Sequence, residues 1–243
     1  MDKKEFEALI ASAVNDAELK STEIPAIDLY VDQIINLHTE KLKTGDPRFH
    51  DRQLTKTMIN NYAKDRVITP VKGKKYTKEQ ILQILLVYTL KGTLTIGEIK
   101  RYLEGAYAIE NFDSEALTGL YERYSDSKDK NREFASKIVD EMLENNGLDI
   151  EKDEDFLIAL ASVASVSAFM KNIAQAMIDA KYPPTPEESE KDKNNKDDKK
   201  DKSKKEKSEK EEKTKKEKPK KEDKKSKKGE DTLPTIDGMT AWS

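Results

Sequence analysis

Apolar residues recur three and four positions apart from Phe6 to Ile178, with Gly and Pro confined to a few boundaries, and this spacing predicts a chain of helices. Residues 3–18 place Phe6, Leu9, Ile10 and Val14 on one face of a surface helix. Glu23-Ile24-Pro25 interrupts the pattern, and the proline suits a first helical turn. The next stripe, over 26–42, holds Ile27, Tyr30, Val31, Ile34, Ile35 and Leu42, and Gly45-Asp46-Pro47 ends it. A third helix is expected over Thr55–Asp65. Residues 69–76, with Pro70 and Gly73, cannot be regular helix and read as a tight turn or short β-hairpin. Thr77 with Gln80, and Thr95 with Glu98, are capping boxes that start two further helices. The first of these, 78–91, is apolar nearly all round and is predicted to be the buried centre of a domain.

Beyond Gly105 the pattern weakens. Residues 114–124 and 130–145 read as two separate helices, with Phe134, Ile138 and Met142 striping the second and Gly147 capping it. A last helix is expected over 153–181, closed by Pro183-Pro184. Its stretch 156–170 holds no charge, but it has 15 residues, three of them serine, between Asp155 and Lys171. A membrane span needs about 20 apolar residues, so a buried or interface helix is the expectation, with no membrane. The N-terminal Met-Asp-Lys-Lys-Glu-Phe-Glu is unlike a secretory signal. No internal period of 20–50 residues marks a repeat array.

Composition divides the chain. Residues 183–243 carry 20 Lys against 17 Asp and Glu, with almost no large apolar residue before Leu233. Such a segment cannot bury enough surface to offset its ordering entropy and is expected to be a disordered tail. Its tip, Leu233 to Trp242, is an apolar patch that reads as a frayed terminus or as a docking motif for a protein partner. The chain has no cysteine, which removes disulfides, thiolate metal sites and Cys nucleophiles, and fits a cytoplasmic location. His38 and His50 have no metal-site spacing, and neither GxxxxGK[ST] nor GxGxxG occurs. The expectation is therefore no enzyme, no cofactor and no metal.

Charge is more informative. The chain is −3 overall and the tail is +3, so residues 1–182 carry −6. Within that acidic body, residues 48–78 hold nine Arg and Lys against Asp51 and Asp65, a +7 island. Such an island is the footprint of polyanion binding, or else a solvated face whose carboxylate partners lie elsewhere. The expected third helix carries Lys56, Thr57, Asn60, Asn61 and Lys64, types that suit the major groove: Asn reads adenine and Lys reaches guanine or phosphate. Arg66, then Lys72, Lys74, Lys75 and Tyr76 in the following turn, suit phosphate contacts from a wing.

The order of these segments resembles the mercury-resistance regulator (MerR) class of winged helix-turn-helix proteins. Ile59, Tyr62, Val67-Ile68 and Pro70 fall on the Leu, second Tyr, Leu-Leu and last Pro of that class's Leu-Arg-Tyr-Tyr-Glu helix and its Gly-Leu-Leu-Pro-Pro exit. Lys74-Lys75-Tyr76 fall on Arg-Arg-Tyr, and Gly92 to Ile99 on Gly-Phe-Ser-Leu-x-Glu-Ile. Asn60, Asn61, Ala63 and Arg66 stand where that pattern has Arg, Tyr, Glu and Gly. Over residues 24–110 the strings IPAIDLYVDQI, LTKTMINNYAKDRVITPVKGKKYTKEQI and YTLKGTLTIGEIKRYL look like the bacterial family called domain of unknown function 1836. These resemblances imply an all-α protein. Its parts are an N-terminal helix (1–23), a winged helix-turn-helix domain (24–110), a helical region with a coiled-coil dimerisation role (111–182) and the disordered tail (183–243). The implied function is sequence-specific binding of double-stranded DNA by a transcription regulator, as a homodimer through the C-terminal helices. The alternative is an adaptor module that keeps the winged fold without binding DNA.

Overall fold

The computed structural model describes residues 1–186. The expected disordered tail, from 187 onwards, and its apolar tip lie outside the described residues. Seven helices run in order: α1 (Lys3–Val14), α2 (Val31–Leu42), α3 (Lys56–Lys64), α4 (Lys78–Leu90), α5 (Ile96–Tyr107), α6 (Ser114–Asn146) and α7 (Asp153–Lys181). Two-residue strands β1 (Leu29–Tyr30) and β2 (Lys75–Tyr76) make the only sheet among the described residues. The chain is mainly helical, as its periodicity predicts.

The core forms around α4, as expected from its apolar circumference. Every residue from Gln80 to Val87 is buried. Against them pack Ile34 of α2, Ile59 and Tyr62 of α3, Ile99 and Leu103 of α5, and Leu117 and Tyr121 of α6. Burying one such aliphatic side chain is worth about 1.5–3 kcal/mol, so α4 is the main source of stability. Both capping boxes form. Thr77 Oγ1 accepts from the Gln80 amide at 3.3 Å, and Gln80 Oε1 accepts from the Thr77 amide at 3.0 Å. At α5, Glu98 Oε2 accepts from the Thr95 amide at 2.7 Å, and Thr95 Oγ1 accepts from the Glu98 amide at 3.2 Å.

Four expectations are corrected. Pro25 does not open a helix: residues 26–28 stay outside it, and α2 begins at Val31, where the Tyr30 amide donates to Gln33 Oε1 at 2.8 Å. Residues 69–76 hold the tight turn, at Gly73-Lys74 with Gly73 at φ 84°, but do not form a hairpin of their own. Their last two pair antiparallel with β1 instead, Leu29 opposite Tyr76 and Tyr30 opposite Lys75, a register that local sequence cannot specify.

Residues 114–146 form one helix of 33 residues, where two were expected. The polar run at 125–129 contains neither Gly nor Pro, and its side chains find partners across the helix face. Ser125 Oγ donates to Glu18 Oε2 at 2.9 Å, and Lys128 Nζ pairs with Asp16 at 2.7 Å. Gly147 ends α6 in the left-handed region (φ 62°), as its capping role requires. Phe134 does not join the inner stripe and is 58% exposed. Ala135, Ile138, Val139 and Met142 line an apolar cavity of about 600 Å³ with α1 and α7.

The fourth correction concerns α7. Only Ala159 and Ile178 are buried, so of the two alternatives, a buried or an interface helix, the buried one fails. The helix is long and apolar enough to cross a membrane by length and composition, with mean hydropathy 1.7 over its most apolar 18-residue window, of which 6% is buried. Its C-terminal end is tied to α5 by polar contacts. Gln175 Nε2 donates to Glu98 Oε1 at 2.9 Å, and Arg101 reaches Asp179 at 2.8 Å and the Tyr182 carbonyl at 2.5 Å. The Tyr182 ring lies so close to Gly105 that no Cβ fits there.

Candidate nucleic-acid interface

Thr55 starts α3 by accepting the Met58 amide at 3.2 Å. At 3.6 residues per turn, Lys56, Thr57, Asn60, Asn61 and Lys64 fall within an arc of about 140° on one side of the helix. All five are exposed, while Ile59 and Tyr62 on the opposite side are buried. The helix therefore turns an apolar edge to α4 and a Thr/Asn/Lys edge outward.

The exit from α3 is sharp. Arg66 adopts φ 54°, and its amide donates to Ala63 O at 3.2 Å while the Val67 amide donates to Tyr62 O at 2.9 Å. This pair of bonds is the Schellman termination, which usually takes Gly at the left-handed position. Buried Val67 and Tyr62 supply the accompanying apolar partners.

Two buried amides of α4 then fix the loop that follows. Gln83 Oε1 accepts from the Thr69 amide at 2.8 Å, and Gln80 Nε2 donates to Pro70 O at 3.0 Å and Thr69 O at 3.3 Å. Gln83 is held in turn by the Tyr107 hydroxyl, which donates to Glu79 Oε1 at 2.6 Å. Lys72, Lys74 and Lys75 on this loop are exposed. Lys75 Nζ lies 5.1 Å from the centroid of the Tyr30 ring.

Tyr76 departs from the surface role expected of it. As the inward partner of Leu29 it is 7% exposed, and burial raises its hydroxyl pKa above the ordinary tyrosine value. The residues 43–55 between α2 and α3 are also more than the three or four of a compact helix-turn-helix turn.

Among the described residues, Lys56, Thr57, Asn60, Asn61, Lys64, Arg66, Lys72 and Lys74 have no side-chain hydrogen bond or ion pair. Of the island's nine cations only Arg48 faces a carboxylate, Asp46 at 3.9 Å. Elsewhere some cations pair, as Lys20 with Asp129 (3.0 Å), Lys41 with Glu23 (2.7 Å) and Arg101 with Asp179 (2.8 Å), while others, such as Lys130, Lys137 and Lys171, have no ion pair among the described residues. Lys91, outside the island in sequence, is a further cation with no carboxylate partner among the described residues. Nothing in its sequence context marks it, because it takes its place only through the fold.

No curated protein and no solved structure matches the chain. Residues 19–124, which carry the core, α3 and its loop, match the profile of the family described as "Domain of unknown function (DUF1836)".

Proposed function

We propose that the exposed edge of α3 and the 69–75 loop bind duplex DNA, and that the protein is a sequence-specific transcription regulator of the MerR-like winged helix-turn-helix type. One observation carries the reading: a row of side chains suited to bases and phosphates, held on a rigid helix and a pinned loop, without internal partners. Uncompensated charge on an ordered surface is poised for an external polyanion, whose counterions it displaces on binding. Lys56, Thr57, Asn60, Asn61 and Lys64 read or approach base edges. Arg66, Lys72, Lys74 and Lys75 hold phosphates.

The reading includes a homodimer. α7 exposes Leu157 (62%), Ile158 (51%), Leu160 (57%), Phe169 (60%), Met170 (51%) and Ile173 (53%) on a helix whose far end is anchored to α5. Half-exposed side chains of this size along 29 residues approach the roughly 800 Å² per partner of a standard interface. The same apolar helix favours the second reading, an adaptor that docks another protein and leaves the basic face unused.

One pair of variants separates these readings. On duplexes selected from a random pool, Asn61→Ala is expected to cost about 1–3 kcal/mol at one base pair and to relax preference there. Lys74→Ala is expected to weaken all sequences alike and to lower the salt slope by about one unit. Lys74 serves better than Lys75, whose ammonium already has the Tyr30 ring. If neither variant changes binding, the DNA reading fails and the adaptor reading stands.

A further inference from the structure

We infer that the cleft bounded by α2, α4, the residues 16–19 and the residues 49–53 is a binding site for a small organic carboxylate with an apolar or aromatic body. The cleft has a volume of about 370 Å³, within the range of small-molecule sites. Leu42, Phe49, Leu85 and Met58 give it apolar walls.

Its polar groups divide into satisfied and unsatisfied ones. Asp16 pairs with Lys128 (2.7 Å) and Arg132 (3.0 Å), while Glu18 accepts from Ser125 through Oε2 (2.9 Å) and its buried Oε1, 3.6 Å from Lys128 Nζ, makes no hydrogen bond. Lys128 and Arg132 thus offset the charge of the two carboxylates. Arg52 and Lys91 do not share in this. The Arg52 guanidinium lies 4.8 Å over the Phe49 ring, and Lys91 Nζ lies 5.0 Å over the Tyr88 ring and 3.6 Å from Met58 Sδ. Neither has a carboxylate partner among the described residues. The Tyr88 hydroxyl donates to the Arg52 carbonyl, which fixes that residue's backbone beside α4.

His38 supplies a buried neutral group without a partner. It is 5% exposed, stands edge-on to Tyr88 at 4.5 Å, and its Nδ1 has no hydrogen-bond partner. Burial first, and the Lys91 charge second, lower its pKa to about 4, so the ring is neutral at physiological pH. It thus offers a hydrogen bond and no charge to whatever fills the cleft. Two free cations, apolar walls and a neutral buried ring nitrogen together match one carboxylate on an apolar body that carries a further hydrogen-bonding group. This inference does not rest on the DNA reading, and its test involves no DNA.

The chain has two histidines, so the ring signals of His38 and His50 can be resolved in nitrogen–proton NMR spectra and assigned with His50→Gln. The full chain is titrated with benzoate and 4-hydroxybenzoate, with phenol and inorganic phosphate as controls. The His38 signals are expected to move saturably with either carboxylate, with Kd below about 1 mM, while His50 stays still. Arg52→Gln and Lys91→Met, both at exposed positions, are each expected to weaken binding about tenfold with the melting curve unchanged. No saturable His38 response to either carboxylate overturns the inference. So does equal binding of phenol, equal binding of phosphate, or unchanged affinity in both variants.

Discussion

Two polar regions flank the same core and are built on opposite terms. Between residues 14–23 and α6, most side chains find internal partners, Glu18 Oε1 excepted. Lys20 bonds Ser125 and Asp129, Ser21 bonds Glu122, the Tyr121 hydroxyl donates to Leu19 O, and Arg132 reaches Val14 O and both the carbonyl and carboxylate of Asp16. Around α2, α3 and the start of the α4–α5 link, groups are left over. The basic edge of α3 has no carboxylate partner among the described residues, and the buried His38 Nδ1 and Tyr62 hydroxyl lack hydrogen bonds. Burial pushes the Tyr62 pKa up to about 12, with a smaller push from Tyr88. The first region is a structural seam. The second retains the unsatisfied polar groups that binding surfaces keep, and leaving such groups unmade costs stability that a ligand can return.

The largest test of this contrast is acid. His38 has a folded pKa near 4 against an ordinary value of 6.5, so the folded state resists its protonation. The stability it confers is therefore fully present above pH 6.5 and is lost as pH falls from there towards 4. The loss is about 3 kcal/mol over that window. Urea unfolding of wild type and His38→Gln at several pH values measures it, and the variant's curve is expected to be flatter by that amount. Parallel curves would show that the ring is not held neutral by burial.

Next in size is a cut in the seam. Arg132→Ala removes four bonds, two to the backbone carbonyls of Val14 and Asp16 and two to the Asp16 and Asp129 carboxylates, at a side chain 25% exposed, and leaves Asp16 short of a partner. The expected cost is about 2 kcal/mol in chemical denaturation. Lys74→Ala, on the unpaired surface, should change stability by less than about 0.5 kcal/mol, because no internal bond is lost. Equal costs would erase the distinction between the two regions.

How much of this contrast was legible follows from which contacts are local. The caps at Thr77 and Thr95 and the outward Thr/Asn/Lys edge of α3 are properties of a few adjacent residues, so local sequence predicts them. The β1–β2 pairing joins Leu29 to Tyr76 across α2 and α3, and no short-range pattern sets that register. The strand alternation it imposes points Lys75 out and Tyr76 in, which is why Tyr76 joins the core. The continuity of α6 escaped for the same reason: residues 125–129 read as a polar break until Glu18 and Asp16 are placed beside them. Which cations are unpaired is the least local property of all. The +7 island marks one cluster of them, but Arg52 and Lys91 converge on one cleft only in three dimensions.

The smallest and most discriminating effect lies at Arg66, where the unpaired surface carries a visible backbone cost. A non-glycine residue at φ 54° costs about 1–2 kcal/mol relative to glycine, partly offset by glycine's greater freedom when unfolded. Arg66→Gly is therefore expected to raise stability by about 1 kcal/mol in urea unfolding. Arg66→Asn, which tolerates the left-handed region while losing the charge, should fall between wild type and the glycine variant. If the guanidinium holds a phosphate, both variants should also bind duplex DNA more weakly and lower the salt slope by about one unit. A gain in stability with unchanged DNA affinity would leave the arginine's strain without a functional return and would remove Arg66 from the interface. No gain in stability would show that the Schellman exit of α3 accommodates arginine without strain, and that the unpaired face is maintained at no backbone cost.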